Sequence, residues 1–106
     1  MADRYSSDEF TQRHELPGWR VVDDGIEVWW RGASFSDAGT FVAEIAALAD
    51  AANHHPDVAL SYPGRVHVRL TSHDAGGLTD RDASLGAQIS EAAAARGVTV
   101  DWDEGG

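Results

Sequence analysis

Residues 58–71 read VALSYPGRVHVRLT, and this stretch decides the fold. From residue 65 onward, apolar and polar side chains alternate, which is the period of a β-strand with one buried face. Pro63-Gly64 separates this run from the apolar run that begins at Val58, so the stretch predicts a β-hairpin. The face expected to be buried carries Val66, Val68 and Leu70. The opposite face, expected to meet solvent or a partner subunit, carries Arg65, His67, Arg69 and Thr71.

A second hairpin is predicted upstream, where Asp23-Asp24-Gly25 separates two runs rich in Val, Ile and Trp. Asp and Gly both tolerate positive φ, and Asp-Gly between two β-type runs is a strong hairpin signal. We expect the two strands over Trp19–Val22 and Ile26–Phe35, and the alternation of the second strand continues through Arg31, Ala33 and Phe35.

Two amphipathic helices follow the hairpins. Apolar side chains recur at helical spacing over residues 37–52, behind a cap at Ser36-Asp37, and a proline three residues further on stops the helix near Asn53. The stretch Thr79-Asp80-Arg81-Asp82 predicts a capping box, with Asp in place of Glu, at the start of the last helix. Gly97 is expected to end that helix.

The 106 residues fit a single domain of the α+β class. We expect a four-stranded antiparallel sheet, built from the two hairpins, with three helices packed on one face. Residues 1–16 form an N-terminal segment with a short helix over about Phe10–His14, and residues 17–97 form the domain proper. Residues 98–106 are an acidic tail that either adds a short strand or frays.

Composition excludes several classes of function. The net charge is −10, with eight arginines and no lysine, so the average field repels a nucleic-acid backbone. The chain has no cysteine, which rules out disulfides and thiolate catalysis. No run approaches the roughly 20 apolar residues of a membrane span, and the N-terminus has no apolar signal core. We therefore expect no membrane segment and a cytoplasmic location.

Four of the five histidines lie within 20 residues, and three of them stand at the ends of predicted elements. His54-His55 leave a helix and His73 leaves a strand, and such positions expose side chains that a rigid scaffold holds in place. Histidine gives and takes protons near neutral pH, so this cluster favours acid–base chemistry. His67 lies mid-strand between two arginines and is interpreted as a surface or interface residue.

Simpler interpretations stay open at this stage. The histidine pair could mark the helix end alone, and Asp50 could be a solvated helix residue. Asp82 at the third helical position favours the positive end of the helix dipole whether or not a substrate is near. A metal site is disfavoured, because adjacent histidines point apart and no His-Glu-x-x-His motif is present. No glycine-rich nucleotide motif and no nucleophile elbow around Ser72 occur either.

The same region resembles the signature of the pterin-4a-carbinolamine dehydratase family. The residues that carry the resemblance are Asp50, His54, His55, Pro56, Tyr62, His73, Asp74 and Asp82. A His-His-Pro motif alone is weak, but here the His-Asp pair and Gly-Gly-Leu-Thr-x-x-Asp follow at matching spacing, and the resemblance covers about residues 17–95. Two features depart from the family pattern: the turn at Pro63-Gly64 is one residue longer, and the acidic tail extends past the usual end.

The resemblance implies an α+β fold, assembly as a homodimer or homotetramer, and no metal or organic cofactor. It implies dehydration of 4a-hydroxytetrahydropterin to quinonoid dihydropterin in tetrahydrobiopterin recycling. His54 and His73 would form the acid–base pair, His55 would position the pterin and share proton transfer, and Asp82 would orient a histidine. The substrate-binding residues implied are Asp50, His55, Thr71, Ser72 and Asp74.

Two alternatives remain from other classes of function. Some proteins similar to this family act as assembly or binding factors without turnover, for example in RuBisCO assembly or as partners of transcription factors. Such proteins often lose part of the histidine set, which here is complete. The second alternative is a metal-dependent enzyme of small-molecule metabolism.

Overall fold

A computed structural model describes residues 4–102, and the first three and last four residues of the chain lie outside the described part. The described part contains three α-helices and five β-strands, so the predicted α+β class is confirmed. In chain order the elements are α1 (Ser7–Arg13), β1 (Arg20–Val22), β2 (Gly25–Arg31), α2 (Phe35–Ala52), β3 (Asp57–Ser61), β4 (Arg65–Leu70), α3 (Asp80–Arg96) and β5 (Thr99–Val100).

The sheet is antiparallel throughout, with the strand order β1-β2-β4-β3 that two hairpins joined through β2 and β4 produce. The short strand β5 is an addition to the four predicted strands. It pairs with the end of β2, where Thr99 faces Arg31 and Val100 faces Trp30. Residues 98–102 of the tail therefore belong to the folded domain, and residues 103–106 lie outside the described part.

One face of the sheet forms the core with the helices, as the alternation in β4 predicts. The helices contribute apolar residues to the same cluster, including Phe10 from α1, Phe41 and Ile45 from α2, and Leu85 and Ile89 from α3. Each such side chain contributes about 1.5–3 kcal/mol when fully buried. From the sheet the buried set is Ile26, Val28, Trp30, Val66, Val68 and Leu70.

The start of α2 differs from the prediction. Strand β2 ends at Arg31, opposite the first residue of β4, so the chain beyond it has no strand to pair with. The chain turns at Gly32, where a Cβ atom would lie 3.1 Å from the backbone nitrogen of Ala38. The helix consequently begins at Phe35, with Ser34 as its cap, and the predicted cap at residues 36–37 was wrong. Phe35 is half exposed and opens the helix instead of continuing the strand.

Helix α1 starts within the polar stretch Ser6-Ser7-Asp8-Glu9, where the sequence offers a helix start, because Ser6 and Glu9 form a capping box. The Ser6 amide donates to Glu9 Oε1 at 3.0 Å and the Glu9 amide donates to Ser6 Oγ at 3.1 Å. The hydrogen bond from the Ser6 backbone lowers the pKa of Glu9. Helix α2 ends at Ala52, next to the predicted stop near Asn53, and Asn53 caps it in the left-handed conformation with φ of 51°. No helix among residues 4–102 is long and apolar enough to cross a membrane.

Candidate active site

One end of the sheet gathers the segments that carry the candidate residues. Strands β3 and β4 are antiparallel neighbours, so the residues just before Asp57 and just after Leu70 leave the sheet at the same end. The start of β2 lies at this end too, because Ile26 pairs with Leu70. His54-His55 and Ser72-His73 are remote in sequence, but they therefore meet at this end of the sheet.

A buried pair of His54 and Asp82 lies at this end of the sheet. His54 Nε2 is 2.6 Å from Asp82 Oδ1, and the residues are 8% and 0% exposed. The His54 amide donates to Ala49 O, which fixes the histidine to the end of α2. A buried carboxylate is tolerated only when it is fully hydrogen-bonded, and the positive end of the α3 dipole favours it further.

The second oxygen of Asp82 closes the capping box of α3. Oδ2 accepts from the Thr79 amide at 2.9 Å and from Ser72 Oγ at 2.8 Å. Ser72 Oγ is also 2.8 Å from Thr79 Oγ1. The two interpretations that the sequence left open for Asp82 are therefore compatible, because one oxygen caps the helix and the other contacts His54.

This geometry selects one tautomer of His54. A carboxylate oxygen accepts only, so the ring nitrogen facing it, Nε2, carries the proton. In the neutral ring the lone pair then lies on Nδ1. His54 is thus arranged to accept a proton at Nδ1, with Asp82 stabilising the imidazolium that results.

His55 takes a different position from its neighbour. Its Nε2 lies 2.9 Å from Asp50 Oδ1, in a pair whose side chains are 60% and 80% exposed. An exposed pair of this kind contributes little to stability. His55 borders a small hollow of about 180 Å³ whose other lining is largely apolar and comes from α2, Pro56 and Val58.

His73 is exposed and borders a second hollow at the same end of the sheet, of about 270 Å³. The hollow is lined by polar groups from three strands' ends and by the glycines of the loop that follows His73. The remaining lining residues are Asp24, Asp57, Arg69, Thr71, Gly76 and Gly77. Sequence reasoning did not single out Asp24 or Asp57. The pairing of β2, β4 and β3 brings both residues beside His73: Asp24 from the turn between β1 and β2, and Asp57 from the start of β3.

Two further candidates already have partners within the protein. Thr71 Oγ1 donates to Asp24 O at 2.6 Å. Arg81 Nη2 donates to Asp74 Oδ1 at 2.6 Å, and this bond lowers the pKa of Asp74 and raises that of Arg81.

The other two histidines lie elsewhere. His67 is on the sheet face opposite the helices, where its Nε2 lies 2.9 Å from Glu27 Oε1 and its ring lies tilted against that of Trp29, with 4.7 Å between the ring centroids. His14 follows α1 and lies 2.8 Å from Asp80 Oδ1. Within residues 4–102 no three His, Asp or Glu side chains are grouped as a metal site would require.

The model of the family described as Pterin 4 alpha carbinolamine dehydratase matches residues 3–92. Two similar proteins carry the name "Putative pterin-4-alpha-carbinolamine dehydratase". The one from Thermomicrobium roseum is 42% identical over 79 residues, which cover 74% of this chain and 84% of the relative. The one from a Roseiflexus species is 42% identical over 92 residues, covering 86% and 98%.

Two solved structures share the fold. The crystal structure of a transcriptional coactivator/pterin dehydratase from Brucella melitensis superposes with a TM-score of 0.79 at 30% identity, covering 86% of this chain and 99% of that one. A pterin dehydratase-like protein, identified as a RuBisCO assembly factor in the alpha-carboxysome, superposes with a TM-score of 0.60 at 18% identity, covering 76% and 95%. At that identity the second likeness shows the fold alone.

Proposed function

The chain belongs to the pterin-4a-carbinolamine dehydratase family, and we propose that it removes water from 4a-hydroxytetrahydropterin to give quinonoid dihydropterin. The bond between C4a and the hydroxyl oxygen breaks, and that oxygen takes a proton and leaves as water. A ring N–H loses its proton, and the electron pair left behind forms the new C=N bond. The reaction therefore needs one acid and one base on the same substrate.

The observation that carries the proposal is the buried pair of His54 and Asp82 at the sheet end that also carries His73. His54 serves as the base, because Asp82 fixes its tautomer and stabilises its charged form at 2.6 Å. His73, exposed beside the hollow of about 270 Å³, serves as the acid that protonates the leaving hydroxyl.

The hollow beside His73 suits the bicyclic pterin ring. Its volume of about 270 Å³ lies just below the roughly 300–1,000 Å³ typical of ligand sites, in keeping with a small substrate. The carboxylates of Asp24 and Asp57 are acceptors for the amino group and ring N–H of the pyrimidine. Thr71 and Asp74 would contribute at the rim, and His55 with Asp50 would position the pterin from the α2 side.

The test is stopped-flow measurement of 4a-hydroxytetrahydropterin loss. We expect His54→Ala and His73→Ala each to lower the rate by about 10²–10⁴-fold, the usual contribution of a positioned acid or base. His67→Ala is the matched control, because it removes a histidine from the far face of the sheet. Near wild-type turnover by either active-site variant would overturn these roles.

The finer expectations of the sequence belong to the same proposal: a cytoplasmic homodimer or homotetramer that acts in tetrahydrobiopterin recycling without a metal or organic cofactor. An assembly or binding factor is the alternative that the name of one structural neighbour suggests. In that case the wild-type protein itself would not accelerate the loss of 4a-hydroxytetrahydropterin.

A further inference from the structure

The hydroxyl of Ser72 is completely buried at the proposed active site. It lies 2.8 Å from Asp82 Oδ2 and 2.8 Å from Thr79 Oγ1, and Ser72 is 0% exposed. Such a hydroxyl has no free face toward a substrate. Its role must be sought in the groups that it contacts.

The directions of these hydrogen bonds follow from counting protons. The carboxylate of Asp82 only accepts, so Ser72 donates its single proton to Oδ2. The single proton of Ser72 is then used, so Ser72 Oγ must accept from the Thr79 hydroxyl; otherwise two lone pairs would face each other. Thr79 Oγ1 in turn accepts from the Arg81 amide at 3.2 Å. The chain of donors therefore runs one way, from the first turn of α3 through two hydroxyls to Asp82.

Capping alone does not require this arrangement. The box of α1 closes with two residues, Ser6 and Glu9, and remains at the surface. The box of α3 has a third member, the hydroxyl that Ser72 delivers from the end of β4, and it is buried. The added group saturates Oδ2 and leaves Oδ1 for His54 alone.

We propose that Ser72 and Thr79 are positioning residues for the reaction, acting through Asp82 to hold His54 with its proton on Nε2. The effect of Ser72 and Thr79 on the reaction rests on the proposed function. Their effect on the orientation of His54 concerns the protein without substrate and is independent of that function. With both oxygens of Asp82 assigned to fixed donors, the carboxylate cannot rotate, and the plane of the imidazole is fixed with it. Ser72 is thereby assigned to the support of the base instead of to contact with the pterin.

The experiment is NMR of protein labelled with ¹⁵N in its histidine rings, without substrate, with His54 assigned through a His54→Gln variant. In the wild type we expect ring shifts of the Nε2–H tautomer. In Ser72→Ala we expect those shifts to move toward a mixture of tautomers. Ser72→Thr, which restores a hydroxyl, should return them toward the wild-type positions.

Ser34→Ala is the matched control, because it removes a serine hydroxyl that caps α2 away from the histidines. Wild-type His54 signals in Ser72→Ala, or an equal change in Ser34→Ala, would overturn the proposal. If Ser72→Ala does not fold, Ser72→Cys keeps the volume with a weaker donor, and an intermediate shift is expected. Wild-type signals in that variant would overturn the proposal equally.

Steady-state kinetics provide a second, independent test of the role of Ser72. Ser72→Ala should lower kcat about tenfold, the loss expected for one hydrogen bond to a charged group, with KM changed less than twofold. If the wild type dehydrates the substrate and Ser72→Ala has the same kcat, the catalytic role proposed for Ser72 is contradicted. If the wild type does not dehydrate 4a-hydroxytetrahydropterin but His54 still responds to Ser72, the proposed function fails and the positioning role stands.

Discussion

Replacing Asp82 by asparagine should reverse the tautomer of His54. The Thr79 amide is a fixed donor 2.9 Å from Oδ2, and Ser72 donates to the same atom. The asparagine oxygen must therefore face Thr79, which turns the amide NH₂ toward His54. Because that NH₂ donates, His54 Nε2 must accept and its proton moves to Nδ1. The base proposed for the reaction is then lost without any loss of packing volume.

The size of the effect follows from these bonds. An acid or base in the wrong protonation state forfeits its contribution of about 10²–10⁴-fold, so kcat should fall by that factor. The Thr79 and Ser72 bonds survive but become neutral, which is about half as strong as the bonds to a carboxylate. We expect the free energy of unfolding to fall by only about 1–3 kcal/mol.

The assay combines stopped-flow kinetics with urea denaturation. Asp37→Asn is the matched control, because Asp37 occupies the same third position of α2 but is exposed. A folded Asp82→Asn protein with wild-type kcat would refute the assignment of His54 as the base held by Asp82. If Asp37→Asn loses as much kcat as Asp82→Asn, the loss does not come from the contact between Asp82 and His54.

Two further predictions concern the ends of the chain. Hydrogen bonds from His14 and then Tyr5 lower the pKa of Asp80 in the folded protein. These bonds therefore stabilise the fold above about pH 4, the ordinary pKa of an aspartate, and this stabilisation is lost as the pH falls through the lowered pKa of Asp80. Limited proteolysis should show residues 4–14 loosening at acid pH in the wild type, and an Asp80→Asn protein whose acid response is unchanged would refute this origin. Deleting residues 99–106 removes β5 and the 2.7 Å bond between Arg31 and Asp101, and should lower the free energy of unfolding by about 1–3 kcal/mol with kcat unchanged. An unchanged urea midpoint would count against it.

The architecture could be predicted because its signals are local. Alternation in β4 identified its buried face, Asp23-Asp24-Gly25 identified a hairpin, and Gly97 ended α3 as expected. The start of α2 was missed because it depends on where β2 runs out of partner strand at Arg31. That is a property of the sheet and not of residues 32–36.

The candidate site could be predicted in part. Spacing and resemblance identified His54, His73 and Asp82, each next to the end of an element or in its first turn. The contact between His54 and Asp82 joins residues 28 positions apart and depends on how α3 packs. The burial of Ser72 and the position of Asp57 beside His73 depend on strand register, which no local pattern contains.

The most direct test of the central claim is a single-turnover measurement with the wild-type protein. 4a-Hydroxytetrahydropterin is mixed with increasing protein, and the rate of its loss is compared with the rate in buffer alone. If the protein is a dehydratase, the rate rises with protein concentration, well above the uncatalysed rate. A rate equal to that in buffer at every concentration would contradict this function.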